Sequence, residues 1–188
     1  MASFQDRVIG ALKLQPNTFE EVENDASATG QAATVVVAAA ISGGLVGLIW
    51  LGALGLGSAI GFFILGLVLK LVGWGVGSWV LLMVGTKLMP GKNTQADLGQ
   101  LLRVTGFACA PGLLGILAVV PILGILIGLA LAIWQLIAMV IGVKQALEYD
   151  DTVKAVIVCV IAWVIMWIVS AIIGFMGIAG AGLGSRFM

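Results

Sequence analysis

The sequence predicts an all-α integral membrane protein, a five-helix bundle preceded by a short N-terminal interfacial amphipathic helix. Three observations predict this. Hydrophobic residues make up 61% of the 188-residue chain and charged residues only 10%, against about 25% in soluble domains. Every charged residue except Lys70 and Arg186 falls into one of three short clusters. The apolar stretches between the clusters are long enough to cross a hydrocarbon core of about 30 Å.

Residues 1–30 read as an arm outside the membrane. Phe4, Val8, Ala11 and Leu12 share one helical face with Asp6 and Lys13 opposite, the pattern of a helix lying in the membrane interface. In Pro16-Asn17-Thr18-Phe19-Glu20-Glu21, Thr18 and Glu21 have capping-box spacing. Glu20, Glu21 and Glu23 also suit the positive end of a new helix dipole. This polar start lacks the early apolar core of a cleavable signal, so the first span is expected to direct insertion.

Five spans are expected within 31–176, at about 31–51, 60–89, 97–120, 122–147 and 153–176. The uncharged, glycine-rich stretch 52–58 predicts a tight turn. The run 60–89 is about 45 Å long at 1.5 Å per residue, so it must tilt, kink or protrude. Lys70 is the only ionisable group deep inside it and is placed toward the interface away from the arm, its ammonium snorkelling outward. Residues 89–95 are rich in helix breakers. Thr94 and Asp97 have capping-box spacing and open the third span, which Pro111 should kink. The apolar part of that span, 104–120, is near the lower length limit for a crossing. Pro121 begins a short turn into the fourth span, and Asp151 is expected to cap the fifth. Residues 177–188 read as a flexible tail.

An odd number of crossings places the arm, the 87–103 loop and the 144–154 loop on one side. Arg7, Lys13, Lys87, Lys92, Arg103, Lys144 and Lys154 lie there, seven of the nine basic residues. The positive-inside rule makes this side cytoplasmic, with the N-terminus inside and the C-terminus outside.

Candidate chemistry is sparse. The chain has no histidine, which removes imidazole general bases, His-paired nucleophiles and nearly every zinc site. Cys109 and Cys159 sit in apolar runs as small hydrophobes. No catalytic residue, cofactor or metal is expected, and nine cations against nine anions give no pull toward nucleic acid. Asp97, Arg103, Glu20, Glu21 and Lys144 are candidate contacts for a partner or a lipid headgroup. Their plainer roles are a helix cap for Asp97, a phosphate-level anchor for Arg103 and a solvated face for the acidic run. Lys70, Gln135 and Pro111 are the intramembrane candidates, as the lining of a polar path. Gly43/Gly47, Gly57/Gly61, Gly73/Gly77 and Gly124/Gly128 match small-xxx-small spacing, for packing within the bundle or a seam between copies. The expected partners are the lipid bilayer and other membrane proteins, with a homo-oligomer as the second use of those glycines.

Three stretches carry a family resemblance. They are Pro16-Asn17-Thr18-Phe19-Glu20-Glu21-Val22 ahead of Ala28-Thr29-Gly30-Gln31-Ala32, the long segment from Ala96-Asp97-Leu98-Gly99-Gln100 through Arg103 and Pro111 to Leu114, and Trp134-Gln135-Leu136 leading to Val143-Lys144-Gln145-Ala146-Leu147. In these the chain resembles the Yip domain family (Ypt-interacting protein type, five-span membrane proteins), and its short arm is similar to that of the compact prokaryotic-type members. The resemblance implies a five-helix membrane bundle with a cytoplasmic N-terminus, and its compact type makes the plasma membrane the expected location. Eukaryotic members are associated with Rab GTPases and vesicle formation; Rab binding is not carried over to this shorter chain. The expected function is a non-enzymatic membrane scaffold or accessory subunit, in membrane organisation or trafficking. A small channel or transporter is the alternative.

Overall fold

Two short helices and five long ones account for most of the chain. The computed structural model describes residues 2–184 except 53, 54, 93 and 121, with side chains to residue 172 (residue 51 excepted). Helices α1 (Phe4–Leu12) and α2 (Pro16–Asn24) form the arm. Then come α3 (Ala28–Leu51), α4 (Leu56–Met83) continued by a π-helical segment (Val84–Leu88), α5 (Leu98–Ala108) continued by a 3₁₀ segment (Ala110–Val119), α6 (Leu123–Ala146) and α7 (Thr152–Gly184). Five helical stretches are long and apolar enough to cross a membrane, and no strand occurs among the described residues. The all-helical five-span class is therefore as expected.

The departures from expectation have local physical causes. The expected apolar face of α1 does pack on the bundle: Ala11 is fully buried, Val8 and Leu12 lie against the core and the Phe4 ring meets Phe107 edge-on, but the buried side also takes in Arg7 and Gly10. No Thr18–Glu21 box forms, because α2 starts three residues earlier, with Gln15 as N-cap and Pro16 in its first turn; proline suits that position since its missing N–H would be unpaired anyway. Likewise Asp97, not Thr94, is the N-cap of α5, in a capping box with Gln100. Thr94 instead donates to the Leu147 carbonyl at 2.7 Å. α4 begins at Leu56, inside the stretch expected to be a turn, and Gly55 ahead of it has φ +111°, a conformation favouring glycine. α7 continues to Gly184, so residues 177–184 extend the helix. Arg186 and the rest of 185–188 lie outside the described residues, as does Pro121.

Pro111 does more than kink the third span. It cannot donate to the Phe107 carbonyl, and α5 ends at Ala108. The chain rewinds as ten residues of 3₁₀ helix, with Gly112 N donating to the Cys109 carbonyl at 2.9 Å. Rewinding lengthens the segment: at about 2.0 Å per residue the 3₁₀ part adds about 20 Å to the roughly 16 Å of α5, enough to span about 30 Å. Ser42 of α3 steadies it, donating to the Leu113 carbonyl at 2.8 Å and accepting from Ile116 N at 2.9 Å.

The core sits at the end of the bundle that carries the arm. Phe19, Val22, Val35, Val36, Val84, Leu101, Val104, Phe107, Val143, Leu147 and Val158 are all at most 2% exposed. Toward the other end, large side chains such as Ile49, Leu65, Ile125 and Leu126 turn outward. There the contacts are made by small residues. A β-carbon added at Gly106, Gly112 or Gly115 would press on Ala32, Ala39 or Gly43, marking α3 against the third span as a close helix approach, and one at Gly124 of α6 would press on the Ala118 carbonyl. The expected glycine pairs are mostly not packing seams. A β-carbon at Gly47, Gly57, Gly61, Gly73, Gly77 or Gly128 would meet nothing within 4 Å, and only Gly43 of the set lies in the α3 seam.

These contacts set a stability contrast. Gly106→Ala puts its β-carbon 2.7 Å from that of Ala32 and 3.1 Å from its backbone, so it should destabilise by about 1–3 kcal/mol as overpacking does. Gly47→Ala, facing open space, should leave the thermal melt in detergent unchanged or slightly raised. Equal melts for the two variants would contradict the seam.

Candidate functional site

Helices of nine residues do not persist alone. Each helix of the arm is completed by a side chain of the bundle. α1 begins with its own capping box between Ser3 and Asp6, but its last carbonyl, that of Leu12, accepts a hydrogen bond from Trp134 Nε1 of α6 at 3.0 Å. α2 has no basic residue in its last turn. Arg103 of α5 supplies one: its Nε donates to the Val22 and Glu23 carbonyls at 2.9 and 3.1 Å, and Nη2 donates to the Glu23 carbonyl as well. A guanidinium there meets both free carbonyls and the negative end of the helix dipole. Arg103, expected at phosphate level, is instead turned inward and 8% exposed.

Arg7 completes the fastening. Its side chain is 2% exposed. Nη2 lies 2.9 Å from Glu21 Oε1 and 2.6 Å from Asp25 Oδ2, and Nη1 donates to Gln31 Oε1 of α3 at 3.0 Å. One guanidinium thus joins α1, α2 and the first span. The Ser27 hydroxyl and Arg7 hold Asp25 down to about 2. The Ala2 backbone N–H and Arg7 hold Glu21 below the usual carboxylate range. Glu23 goes the other way: burial, then repulsion from Glu148 and Glu20, raise it to about 7 despite Arg103. Its Oε1 accepts from Gln100 Nε2 at 3.2 Å, linking it to the cap of α5.

Glu20 and Glu21 share a surface groove of about 590 Å³ with Asn17, Asn24 and Asp25. Asp97 is exposed beside the Arg103 side chain, both flanking Gly99. Lys144 is apart from these, donating to Thr152 Oγ1 at 3.0 Å and so tying α6 to α7.

A second site lies inside the spans. A cavity of about 280 Å³ is bounded by α4, α5, α6 and α7, and Lys70 and Gln135 both line it. Ser78, Thr105 and Trp74 form its polar wall. The Ser78 and Thr105 hydroxyls are 2.7 Å apart, and Trp74 Nε1 donates to Thr105 Oγ1 at 3.1 Å. Pro111 is buried elsewhere and does not line the cavity. Lys70 falls at the middle of α4, about 20 Å from either helix end at 1.5 Å per residue. Its side chain is exposed, so it reaches the outer face of α4 as well as the cavity. Placing an ammonium at a span centre costs about 2.5–3.5 kcal/mol. Both ion pairs among the described residues belong to Arg7, so Lys70 has none there. Lys70 also borders a cavity between α3 and α4 whose other lining residues are apolar or glycine.

A family model, the Yip1 domain, matches residues 9–177. The chain belongs to the Yip1 family. No curated protein and no solved structure matches it. In this Yip1-family chain the matched segment takes in α2, all five spans and the lysine-lined cavity, while Arg7 lies just ahead of it. Sequence reasoning missed Arg7, Trp134 and Ser42. The available signal for Arg7 was its spacing from Ser3, Gly10 and Ala11, at i−4, i+3 and i+4, which sets a cation on a small-residue face.

Two outcomes follow for the arm. Arg7→Met should cost on the order of 2–3 kcal/mol of arm docking, seen as protease cleavage ahead of residue 28 with the spans intact; unaltered protection would refute the clasp. Glu23 is raised from 4.5 to about 7, so the folded state binds more protons between those values. Its contribution is fully present below 4.5 and is lost as pH rises through about 7. Asp25, lowered from 3.8 to about 2, acts oppositely and contributes only above that range. Hydrogen exchange of α2 should therefore quicken from pH 5 to 8 beyond its intrinsic rise, and Glu23→Gln should abolish that excess.

Proposed function

We propose that this Yip1-family protein is a non-enzymatic membrane scaffold or accessory subunit that presents a fixed polar face to a partner. The observation that carries the reading is the capping of both arm helices by bundle residues, Leu12 by Trp134 and α2 by Arg103. An arm held in this way is a surface of defined shape. Its groove carries Glu20, Glu21 and Asp25, which suits a basic segment of another membrane protein. Seven of nine basic residues lie on the arm side, and this supports a cytoplasmic arm with the C-terminus outside; the plasma membrane as location rests on the compact type of family member. The outward-facing side chains of the other half suit contact with lipid, and a bundle packed at one end suits membrane organisation.

The test uses photo-crosslinking in native membranes. A crosslinker at Asn17, in the groove, should capture a defined protein partner, and Arg7→Met should abolish that capture; the same probe at Leu126 should report lipid. Reconstituted vesicles should show no solute flux depending on Lys70. Flux that disappears on Lys70→Leu would favour transport and overturn the scaffold reading, as would capture at Asn17 that is indifferent to Arg7→Met.

A further inference from the structure

We propose that the cavity around Lys70 is a binding site for the carboxylate head of a single-chain fatty acid entering from the surrounding lipid. The site is separate from the arm and does not depend on the scaffold reading. Lys70 is the one cation deep within a span, and the chain cannot neutralise it: no Asp or Glu occurs between Asp25 and Asp97, between Asp97 and Glu148, or after Asp151. An anion that pairs with it would come from outside the chain.

The cavity defines the rest of the ligand. Opposite Lys70, the only hydrogen bond of Gln135 Nε2 among the described residues is to Cys109 Sγ at 3.7 Å, a weak acceptor, so the amide remains available as a second donor. Leu69, Leu136, Met139, Trp163 and Met166 supply apolar wall. Gly73 and Gly77 of α4 also border the space, and β-carbons there would meet nothing within 4 Å. These two glycines leave room instead of bringing helices together. At 59% and 63% exposure, Leu69 and Trp163 are lining residues that also face outward, toward lipid.

One cation, one amide and an apolar wall fit a small oxyanion with a chain attached. About 280 Å³ holds a head and part of one chain, with the remainder lying among lipids. Depth selects the head. A carboxylic acid reaches the middle of a bilayer uncharged, and the acid–lysine pair is neutral overall. A phosphodiester stays ionised and hydrated at the surface.

The test places the intact protein in phosphatidylcholine nanodiscs and titrates hexadecanoic acid isotope-labelled at its carboxyl carbon. Binding is read from the saturable shift of the carboxyl signal. The wild type should bind saturably, Lys70→Arg should retain binding, and Lys70→Met should weaken it roughly 30-fold or more, as loss of one partner of a desolvated charge pair does. Gly77→Leu should fill the space and remove binding with Lys70 still present. Thermal melts identify any variant that fails to fold, and Lys70→Met, nearly equal in volume, decides the matter alone if Gly77→Leu does. Unchanged affinity in Lys70→Met overturns the proposal. So does Lys70-dependent binding of phosphatidylglycerol in place of the fatty acid, which would assign the cavity to a phospholipid head.

Discussion

A peptide carbonyl or N–H in hydrocarbon has no water to turn to, and the structure depends on how each interruption of a helix meets that constraint. Pro111 breaks the third span, and the chain answers with 3₁₀ bonds and with Ser42 placed across the helix seam. At the end of α4 the π-helical segment loosens the backbone, and the Tyr149 hydroxyl lies 3.0 and 2.7 Å from the Gly85 and Met89 carbonyls. Outside the spans, the arm helices likewise end on Trp134 and Arg103. Each of these irregularities is matched by a polar side chain from another element. The bundle can therefore hold short and broken helices that would not survive separately.

The same constraint accounts for the unequal packing of the two ends. Near the arm, water is close and burial of large side chains drives association, so Phe19, Phe107 and Leu147 fill a dense core. Farther along, lipid tails are as apolar as leucine and give no such drive. Contact there relies on close backbone approach, and Ala39 against Gly112 and Gly43 against Gly115 provide it. The cavity lies where one mode gives way to the other, bordered by Ser78 and Leu81 from the packed side and by Leu69 and Trp163 from the lipid-facing side. It follows from the fold's division of labour and is not an accidental gap.

Much of this was legible in the sequence because membrane insertion depends on coarse quantities, apolar length and the placement of charge. The five spans and their order could be read from these alone, and the stretch around Asp97 to Leu114 carried the family. What failed to appear were pairings in three dimensions. Arg103 looked like a surface anchor since nothing in one dimension announces that α2 lacks a C-cap. Capping-box spacing named Thr94 and Thr18, but a box requires the right backbone angles at its first residue, and Pro16 and Asp97 fixed the helix starts elsewhere. Small-xxx-small spacing is met often by chance in a chain with 27 glycines. Only a neighbouring backbone distinguishes a seam from an open face. Of the three residues expected to line one polar path, Lys70 and Gln135 do share a cavity, and Pro111 does not line it.

The three buried or intramembrane cations show how the chain treats charge. Arg7 is enclosed with two carboxylates and an amide, so its charge is met inside the fold. Arg103 is enclosed with backbone carbonyls at a helix end, where partial charges suffice. Guanidinium suits both settings, since its fixed fork engages several acceptors and it is weakly hydrated. Lys70 differs in kind and in surroundings: a compact ammonium at the middle of a span, beside a cavity instead of a partner. A fold that satisfies two arginines completely and leaves one lysine beside open space does not lack the means to neutralise charge. Leucine or methionine at position 70 would suit lipid better, and the ammonium there gives the cavity its one cation.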